Sequence, residues 1–363
     1  MTVLEFEQGR LDGAALEAVR LSDARLSNRD CKATCPAYSL QRDGSTVALS
    51  SVSARLRDFG TLMKPRVMSL VVFTGLTGLV ASGRSIDPVI AAVAVLCIAM
   101  GSGGAGALNM WYDADIDARM RRTRGRPVPA GRLGRGEALA FGSALSLASV
   151  LLMGFAVNWL ASALLAFTIL FYAVVYTMWL KRSTAQNIVI GGLAGALPPV
   201  IGWTAAAGET QFGAWLLCAI IFIWTPPHFW SLSLYSAEDY ARAGVPMMPV
   251  VKGAASTRRQ ILIYSLLLAP LGVAPALTGL GGPAYLAAST FGGLGFLLLA
   301  ARLFRSRAGE RPDPRRVDGL YDVRPGGRDA RNLFAYSILY LAVLFATLLV
   351  EHMAGLRPLT FLQ

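Results

Sequence analysis

The 363-residue chain has a mean hydropathy of +0.50, with 54% hydrophobic and only 15% charged residues, which excludes an ordinary soluble protein. In so hydrophobic a chain, the formal net charge of +12 indicates basic cytoplasmic loops and not a nucleic-acid partner. The four cysteines, including Cys31 and Cys35 in a polar stretch, match neither a disulfide framework nor a zinc motif, and we interpret them as reduced or incidental.

Residues 1–58 are polar and of mixed charge, without the apolar core of a signal peptide. Their acidic residues argue against a mitochondrial transit peptide, which is normally poor in acids. We therefore expect a mostly disordered or weakly helical cytoplasmic tail. One membrane domain at residues 59–355 and a short outer tail at residues 356–363 would follow it.

The membrane domain contains nine apolar segments of about 20 residues, the length that an α-helix needs to span a bilayer. They lie at residues 61–83, 88–109, 137–157, 159–180, 187–207, 213–234, 261–280, 284–304 and 332–351. This pattern predicts an all-α fold, a polytopic membrane bundle of nine transmembrane helices.

Basic residues concentrate in alternate loops, with seven arginines after the second span and eight after the eighth. Because cytoplasmic loops are enriched in Lys and Arg, we predict a cytoplasmic N-terminus and an outer C-terminus, which an odd number of spans requires. We expect a bacterial inner membrane, with the mitochondrial inner membrane as the alternative, and a functional site facing the cytoplasm. The stretch 305–331 is rich in Arg, Pro, Gly and Asp and is predicted to be a flexible cytoplasmic loop.

The end of the second span carries Asn109, Asp113 and Asp117, whose four-residue spacing places them on one face of a helix. Two carboxylates and an amide oxygen at a membrane boundary repel one another unless a cation lies between them. Mg²⁺ prefers such oxygen ligands and often shares them with phosphates. Five arginines follow between residues 119 and 126, so we predict a site for Mg²⁺ and a diphosphate; the alternative is a solvated helix end.

Basic side chains also flank two other spans. Arg66 opens the first span, and Lys181 and Arg182 close the fourth. Snorkelling at the membrane face would explain Arg66, and a topology signal would explain the pair. The functional hypothesis is that all three face the same anion, since such cations bind phosphate oxygens.

Paired prolines interrupt the fifth and sixth spans at Pro198-Pro199 and Pro226-Pro227, freeing backbone groups that lipid cannot satisfy. Kinked helices around an internal polar cavity are the expected outcome. His228 follows the second pair inside an apolar run. It is either a core histidine with a satisfied hydrogen bond, or a ligand of a metal centre such as haem iron, or a base.

A second acidic cluster, Glu238-Asp239, follows the sixth span in a loop predicted to face the same compartment as the first cluster. Two metal ions held by the two clusters would clamp one diphosphate from both sides.

Taken together, these stretches resemble the intramembrane prenyltransferases of the UbiA superfamily over residues 60–350. The matching stretches are 62–67 (LMKPRV), 109–117, 121–127 (RRTRGRP), 186–192 (QNIVIGG) with the prolines at 198–199, 224–230 (WTPPHFW), 239–240, 244–247 and 336–340 (YSILY). The stretch 224–230 separates a haem-modifying branch of this superfamily from its quinone-pathway relatives.

The resemblance implies a nine-helix fold and transfer of the farnesyl group of farnesyl diphosphate to a vinyl group of haem B, a substrate and not a permanent cofactor. It implies Mg²⁺ as the cofactor, with four metal-binding and catalytic residues: Asn109, Asp113, Asp117 and Asp239. It implies diphosphate binding by Arg66, Lys181 and Arg182, with Arg121 as a further candidate, and contact of His228 with the porphyrin. The lipid bilayer and, downstream, a haem A synthase or oxidase assembly factors are the other expected partners.

The chain departs from the superfamily at the second acidic motif, Asp-x-x-x-Asp, whose first position is Tyr235 here. How a second metal is held therefore stays open. Two alternative functions also stay open. One is prenyl transfer to a quinone or chlorin precursor, and the other is polytopic haem transport, which predicts a polar path reaching both faces.

Overall fold

The structure is a computed structural model that describes residues 44–310 and 327–356, with side chains described from residue 53 onward. The chain divides into Met1–Val52 and Ser53–Gln363, and only the helical backbone of residues 44–52 is described in the first unit. Most of the expected tail, with Cys31 and Cys35, lies outside the described residues. So do residues 311–326 of the expected loop and residues 357–363.

The described residues form helices and contain no strand. The helices are α1 (Gly44–Leu62), α2 (Pro65–Ala81), α3 (Pro88–Tyr112), α4 (Ala114–Arg119), α5 (Arg135–Ala156), α6 (Trp159–Ser183), α7 (Asn187–Ala207), α8 (Phe212–Tyr235), α9 (Ala237–Arg242), α10 (Met248–Val251), α11 (Ala254–Leu277), α12 (Pro283–Arg305) and α13 (Gly327–Met353).

Within the described ranges, eight helices are long and apolar enough to cross a membrane, or up to nine if the bent pair Ser53–Leu62 with Pro65–Ala81 is one span. Each of these spans overlaps one of the nine apolar segments predicted from the sequence. The predicted all-α membrane fold is confirmed. The helix α1 begins at Gly44, inside the stretch that we assigned to a tail, and its residues Ser53–Leu62 belong to the bent pair.

The bend between α1 and α2 amounts to 54° and is centred on Lys64. Lys64 has a φ of 54°, in the left-handed region that a residue with a Cβ rarely adopts. Pro65 then begins α2, where its missing N–H leaves no helical hydrogen bond unmade. The chain therefore turns sharply at Lys64, and the side chain of Lys64 projects from the break between the two helices.

Small residues allow the central helices to approach closely. Helix α3 packs along α5. At Gly104 a Cβ would lie 2.9 Å from the Ser146 backbone nitrogen and 3.0 Å from the Gly142 carbonyl oxygen. No side chain fits there without moving one helix, so this contact fixes where the end of α3 lies.

The last helix closes the bundle. Helix α13 packs against α12, α8 and α2, so the final span contacts the first one. Large apolar side chains such as Phe155, Phe291 and Leu147 are exposed on the outside of the bundle, where lipid would cover them. The polar side chains discussed below are instead enclosed by the spans or lie at their ends.

Helix α6 changes its winding before it ends. Residues Phe171–Leu180 form a π-helix, and the hydroxyl of Thr177 donates to the carbonyl oxygen of Tyr172, five residues earlier, at 2.8 Å. This wider stretch places Thr177 and Lys181 beside the end of α3.

Candidate active site

The first acidic cluster lies where α3 ends and α4 begins. Asp113, Asp117 and Asn109 are buried, with 0%, 2% and 3% of their surfaces exposed. The Asn109 side-chain amide donates to Asp113 Oδ2 at 2.8 Å and to Thr177 Oγ1 at 3.1 Å. Asn109 and Asp113 thus lie on one face inside the bundle, whereas Asp117 lies on the next helix and is buried as well.

Three cations converge on Asn109 and Asp113 from two other places in the fold. Lys181, near the end of α6, forms an ion pair with Asp113 Oδ2, and the next residue, Arg182, lies 3.7 Å from Asp113 Oδ1. Lys64, at the bend before α2, donates a hydrogen bond to Asn109 Oδ1. The structure thus brings together the acids and the Lys181-Arg182 pair that the sequence singled out.

The arginine-rich loop after α4 folds back onto the same cluster. Arg126 forms an ion pair with Asp117 at 2.7 Å, and the buried Thr123 hydroxyl donates to the Asp117 backbone oxygen at 2.9 Å. Arg126 was one of five loop arginines in the sequence, and we did not single it out there. The available signal was its position between a glycine and a proline, which are residues typical of turns.

Two predicted anion-binding residues, Arg66 and Arg121, lie elsewhere. Both side chains are exposed, and among the residues that the structure describes neither forms an ion pair with the acidic cluster. Lys64, two residues before Arg66, occupies the place that we expected for Arg66. Their roles in diphosphate binding remain predictions.

Asp115 faces away from the cluster, as the helical spacing indicates. Arg182 donates to both of its carboxylate oxygens, at 2.9 and 2.8 Å, and to the Tyr112 carbonyl oxygen at 3.3 Å. The hydrogen bond from Arg182 lowers the pKa of Asp115 below its usual value. Asp115 thereby holds the guanidinium at the mouth of the site, next to Asp113.

The second acidic cluster lies on α9. Asp239 is partly buried and forms an ion pair with Arg242 on the same short helix. Among the described residues, the structure shows no ion pair between Asp239 and the first cluster, so its place at a second metal position remains a prediction.

The oxygens present fit a hard cation, although the pattern is not that of a carboxylate cage. Among the described residues there is no group of three or more His, Cys, Asp or Glu side chains that could hold a metal ion. Asp113 Oδ1, however, is buried and has no hydrogen-bond partner, and a buried carboxylate oxygen of this kind can ligate a hard cation. An amide oxygen and two carboxylates match the preference of Mg²⁺, which keeps several waters or phosphate oxygens as its other ligands.

The cluster has an excess of positive charge. Lys64, Lys181 and Arg126 face two buried carboxylates, those of Asp113 and Asp117, while Arg182 is shared with Asp115. A buried excess of cations favours binding of a multiply charged oxyanion, because the low local dielectric strengthens each contact. The arrangement can therefore bind a diphosphate and stabilise negative charge that develops on it.

His228 lies in a separate, aromatic part of the bundle. Its ring stacks between Trp224 and Phe334, with ring centroids 4.2 and 4.7 Å away, and its Nδ1 lies 2.7 Å from Ser337 Oγ. The Ser337 hydroxyl donates its one proton to the Phe334 carbonyl oxygen, so it accepts from Nδ1–H. This hydrogen bond leaves Nε2 with a free lone pair, the tautomer found in metal-ligating histidines.

Comparison with known proteins assigns the chain to a family. The sequence matches the profile described as "UbiA prenyltransferase family" over residues 70–318, more than half of its length. The chain belongs to the UbiA prenyltransferase family. The resemblance that the motifs indicated is confirmed, and the chain is a membrane prenyltransferase by family.

Curated relatives within this family are closely similar. A protein named protoheme IX farnesyltransferase from Caulobacter vibrioides is 67% identical over 320 residues, which cover 86% of this chain and 96% of the relative. A protein of the same name from Maricaulis maris is 60% identical over 303 residues, covering 84% of this chain and 92% of the relative.

Solved structures of family members share the fold at low sequence identity. A structure of digeranylgeranylglyceryl phosphate synthase superposes with a TM-score of 0.65 at 16% identity, covering 83% of this chain and 99% of the other. A UbiA homologue from Archaeoglobus fulgidus bound to GPP and Mg²⁺ gives a TM-score of 0.57 at 15% identity, covering 80% and 99%. These likenesses support the helical membrane fold.

Proposed function

We propose that this UbiA-family protein transfers the farnesyl group of farnesyl diphosphate to a vinyl side chain of haem B, producing haem O. The observation that carries the proposal is the 67% identity to a protein named protoheme IX farnesyltransferase. The matched region covers 96% of that protein's length. The buried cation-rich cluster and the separate aromatic histidine site give this activity two binding places, one for each substrate.

Release of diphosphate requires that its growing negative charge be stabilised where it develops. Lys64, Lys181 and Arg182 are the groups that would bind its oxygens. They come from different parts of the fold and are held in place by Asn109, Asp113 and Asp115. Their side chains are held in position before the substrate binds, so they need little reorganisation when the C–O bond breaks.

Asn109, Asp113 and Asp117 would hold Mg²⁺, with Asp239 on α9 for a second position. Bound there, Mg²⁺ supplies Lewis-acid stabilisation of the departing diphosphate. The buried Asp113 Oδ1, which has no hydrogen-bond partner, supports this assignment. Lys64 and Lys181 then stay within reach of the phosphate oxygens that share the site.

In the transfer reaction, the allylic C–O bond of farnesyl diphosphate breaks and its electron pair leaves with the diphosphate. The π electrons of the vinyl group form the new C–C bond, and water adds to the cation beside the ring and loses a proton. His228 would position the porphyrin through Nε2, while the apolar spans keep other water away from the allylic cation.

The functional site would face the cytoplasm of a bacterial inner membrane. The end of α3 and the end of α6 meet at this site. The stretch that follows α3 carries seven arginines, and such basic loops are normally cytoplasmic.

The proposal is tested by incubating the purified protein with haem B, farnesyl diphosphate and Mg²⁺, and measuring the mass of the extracted haem. We expect a gain of one farnesyl group and one hydroxyl group, which depends on Mg²⁺. Mesohaem, which lacks vinyl groups, should give no product and serves as the control. An unchanged haem mass, with prenylation of a quinone precursor under the same conditions, would show that the acceptor is wrong. Haem movement across proteoliposomes without any product would favour a transporter.

A further inference from the structure

A cavity of ≈ 440 Å³ opens where α13 begins, beside the end of α8. Its volume falls within the range of about 300–1,000 Å³ typical of small-molecule sites. Six residues line it: Tyr235, Arg328, Arg331, Asn332, Phe334 and Ala335. None of them belongs to the acidic cluster or to the groups assigned above to diphosphate.

The rim of this cavity is basic. Arg328 and Arg331 are three residues apart on α13, so they lie on one face of the helix, and both are exposed. Neither forms an ion pair with a carboxylate among the residues that the structure describes, Asp329 included. Asn332 adds a side-chain amide beside them. The rim can therefore donate several hydrogen bonds to one or two anionic groups.

The floor of the cavity is aromatic and leads to His228. The Phe334 ring stacks on His228 at 4.7 Å, and the Tyr235 ring packs edge-on against Phe334 at 6.3 Å. A planar aromatic ligand with anionic groups on one edge suits this combination of a basic rim and aromatic walls.

We propose that Arg328 and Arg331 bind the two propionate carboxylates of the porphyrin acceptor, an inference that rests on the proposed function. Carboxylates match the planar guanidinium fork, and the two vinyl groups lie on the opposite half of the macrocycle from the propionates. With its propionate edge at the rim, the porphyrin presents its vinyl edge to the interior. The arginines thereby select which edge of the acceptor enters the bundle.

The test is an optical titration of the full-length protein with haem B and with haem B dimethyl ester, without farnesyl diphosphate. We expect the double variant Arg328→Gln/Arg331→Gln to bind haem B about 10- to 100-fold more weakly, the loss of two charge-assisted contacts. The wild type should bind the dimethyl ester as weakly as the variant binds haem B, and the variant should not distinguish the two ligands. The control Arg305→Gln, an exposed arginine at the end of α12, should leave both affinities unchanged.

Five outcomes would overturn this assignment. Equal weakening for haem B and its ester would mean that the arginines act on the fold and not on the propionates. A raised KM for farnesyl diphosphate with unchanged haem affinity would assign them to the diphosphate. A defect seen in phosphatidylglycerol vesicles and not in phosphatidylcholine vesicles would assign them to lipid headgroups. Unaltered haem affinity in an active double variant would mean that only the propionate assignment is wrong. A wild type that binds no haem would overturn the proposed function as well.

Discussion

Lys181 and Asp113 form an ion pair that joins the end of α6 to the end of α3. The carboxylate is 0% exposed, and its second oxygen, Oδ1, has no hydrogen-bond partner. A buried charge of this kind is costly unless it is fully paired. The ion pair thus holds the Asp113 carboxylate in place and leaves its Oδ1 available to a further ligand.

Asp113→Asn should lower the rate of haem O formation by about 10²–10³-fold, because a charged group that organises the diphosphate site is lost. The matched control is Glu209→Gln, which removes the charge of an exposed carboxylate that the site does not use and should lose far less. Initial rates measured over a Mg²⁺ titration give the comparison, and melting temperatures in detergent show that both variants fold. Equal losses, or an unchanged Mg²⁺ dependence in Asp113→Asn, would contradict the metal assignment.

Lys64→Asn should raise the KM for farnesyl diphosphate by about 10-fold or more, since a hydrogen bond to a charged group is lost. Asparagine is chosen because it tolerates the left-handed backbone found at Lys64. Arg66→Gln, on the exposed side of α2, should change this KM much less. The two variants are compared by steady-state kinetics at saturating haem B, and the reverse order would return the role to Arg66.

Ser337→Ala should weaken haem binding by about 10-fold or more and alter the absorption spectrum of bound haem, because the hydrogen bond that fixes the His228 ring is removed. Ser337→Thr, which keeps the hydroxyl, should restore most of the binding. Ser265→Ala is the control, since this buried serine bonds only within its own helix, to the Ile261 carbonyl oxygen. An optical titration with haem B measures all three variants. If Ser337→Ala binds haem with the wild-type spectrum, His228 is a core residue.

Gly104→Ala should destabilise the protein by about 1–3 kcal/mol, because the added methyl group would overlap the α5 backbone. Gly195→Ala is the matched control, since a Cβ at that helical position meets nothing within 4 Å. Thermal unfolding in one detergent should show a clear loss for the first variant and none for the second. Similar melting temperatures would mean that α3 and α5 are further apart than the structure shows.

The length of the apolar segments and the four-residue spacing of the polar residues were sufficient to predict the fold and the acidic part of the site. An apolar run of about 20 residues has few stable alternatives to a membrane span, so the nine segments could be located directly. The four-residue spacing of Asn109 and Asp113 similarly determines a common face once the segment is helical. These features depend on neighbouring residues alone.

The remaining features depend on tertiary contacts. Whether Lys64 or Arg66 enters the bundle is decided by a backbone break at Lys64, which hydropathy does not reveal. The choice of Arg126 among five loop arginines depends on how the loop folds back onto Asp117. The basic cavity was missed for a related reason, because Arg328 and Arg331 were assigned to a flexible loop, whereas α13 already begins at Gly327.

The π-helical stretch Phe171–Leu180 determines the angular position of everything that follows it on α6. A π-helix turns less per residue than an α-helix, because its hydrogen bonds reach five residues back and not four. If the same ten residues wound as an ordinary α-helix, Lys181 and Arg182 would leave the helix in another direction, away from their present partner Asp113. The anion site would then be lost although every span kept its length and hydrophobicity.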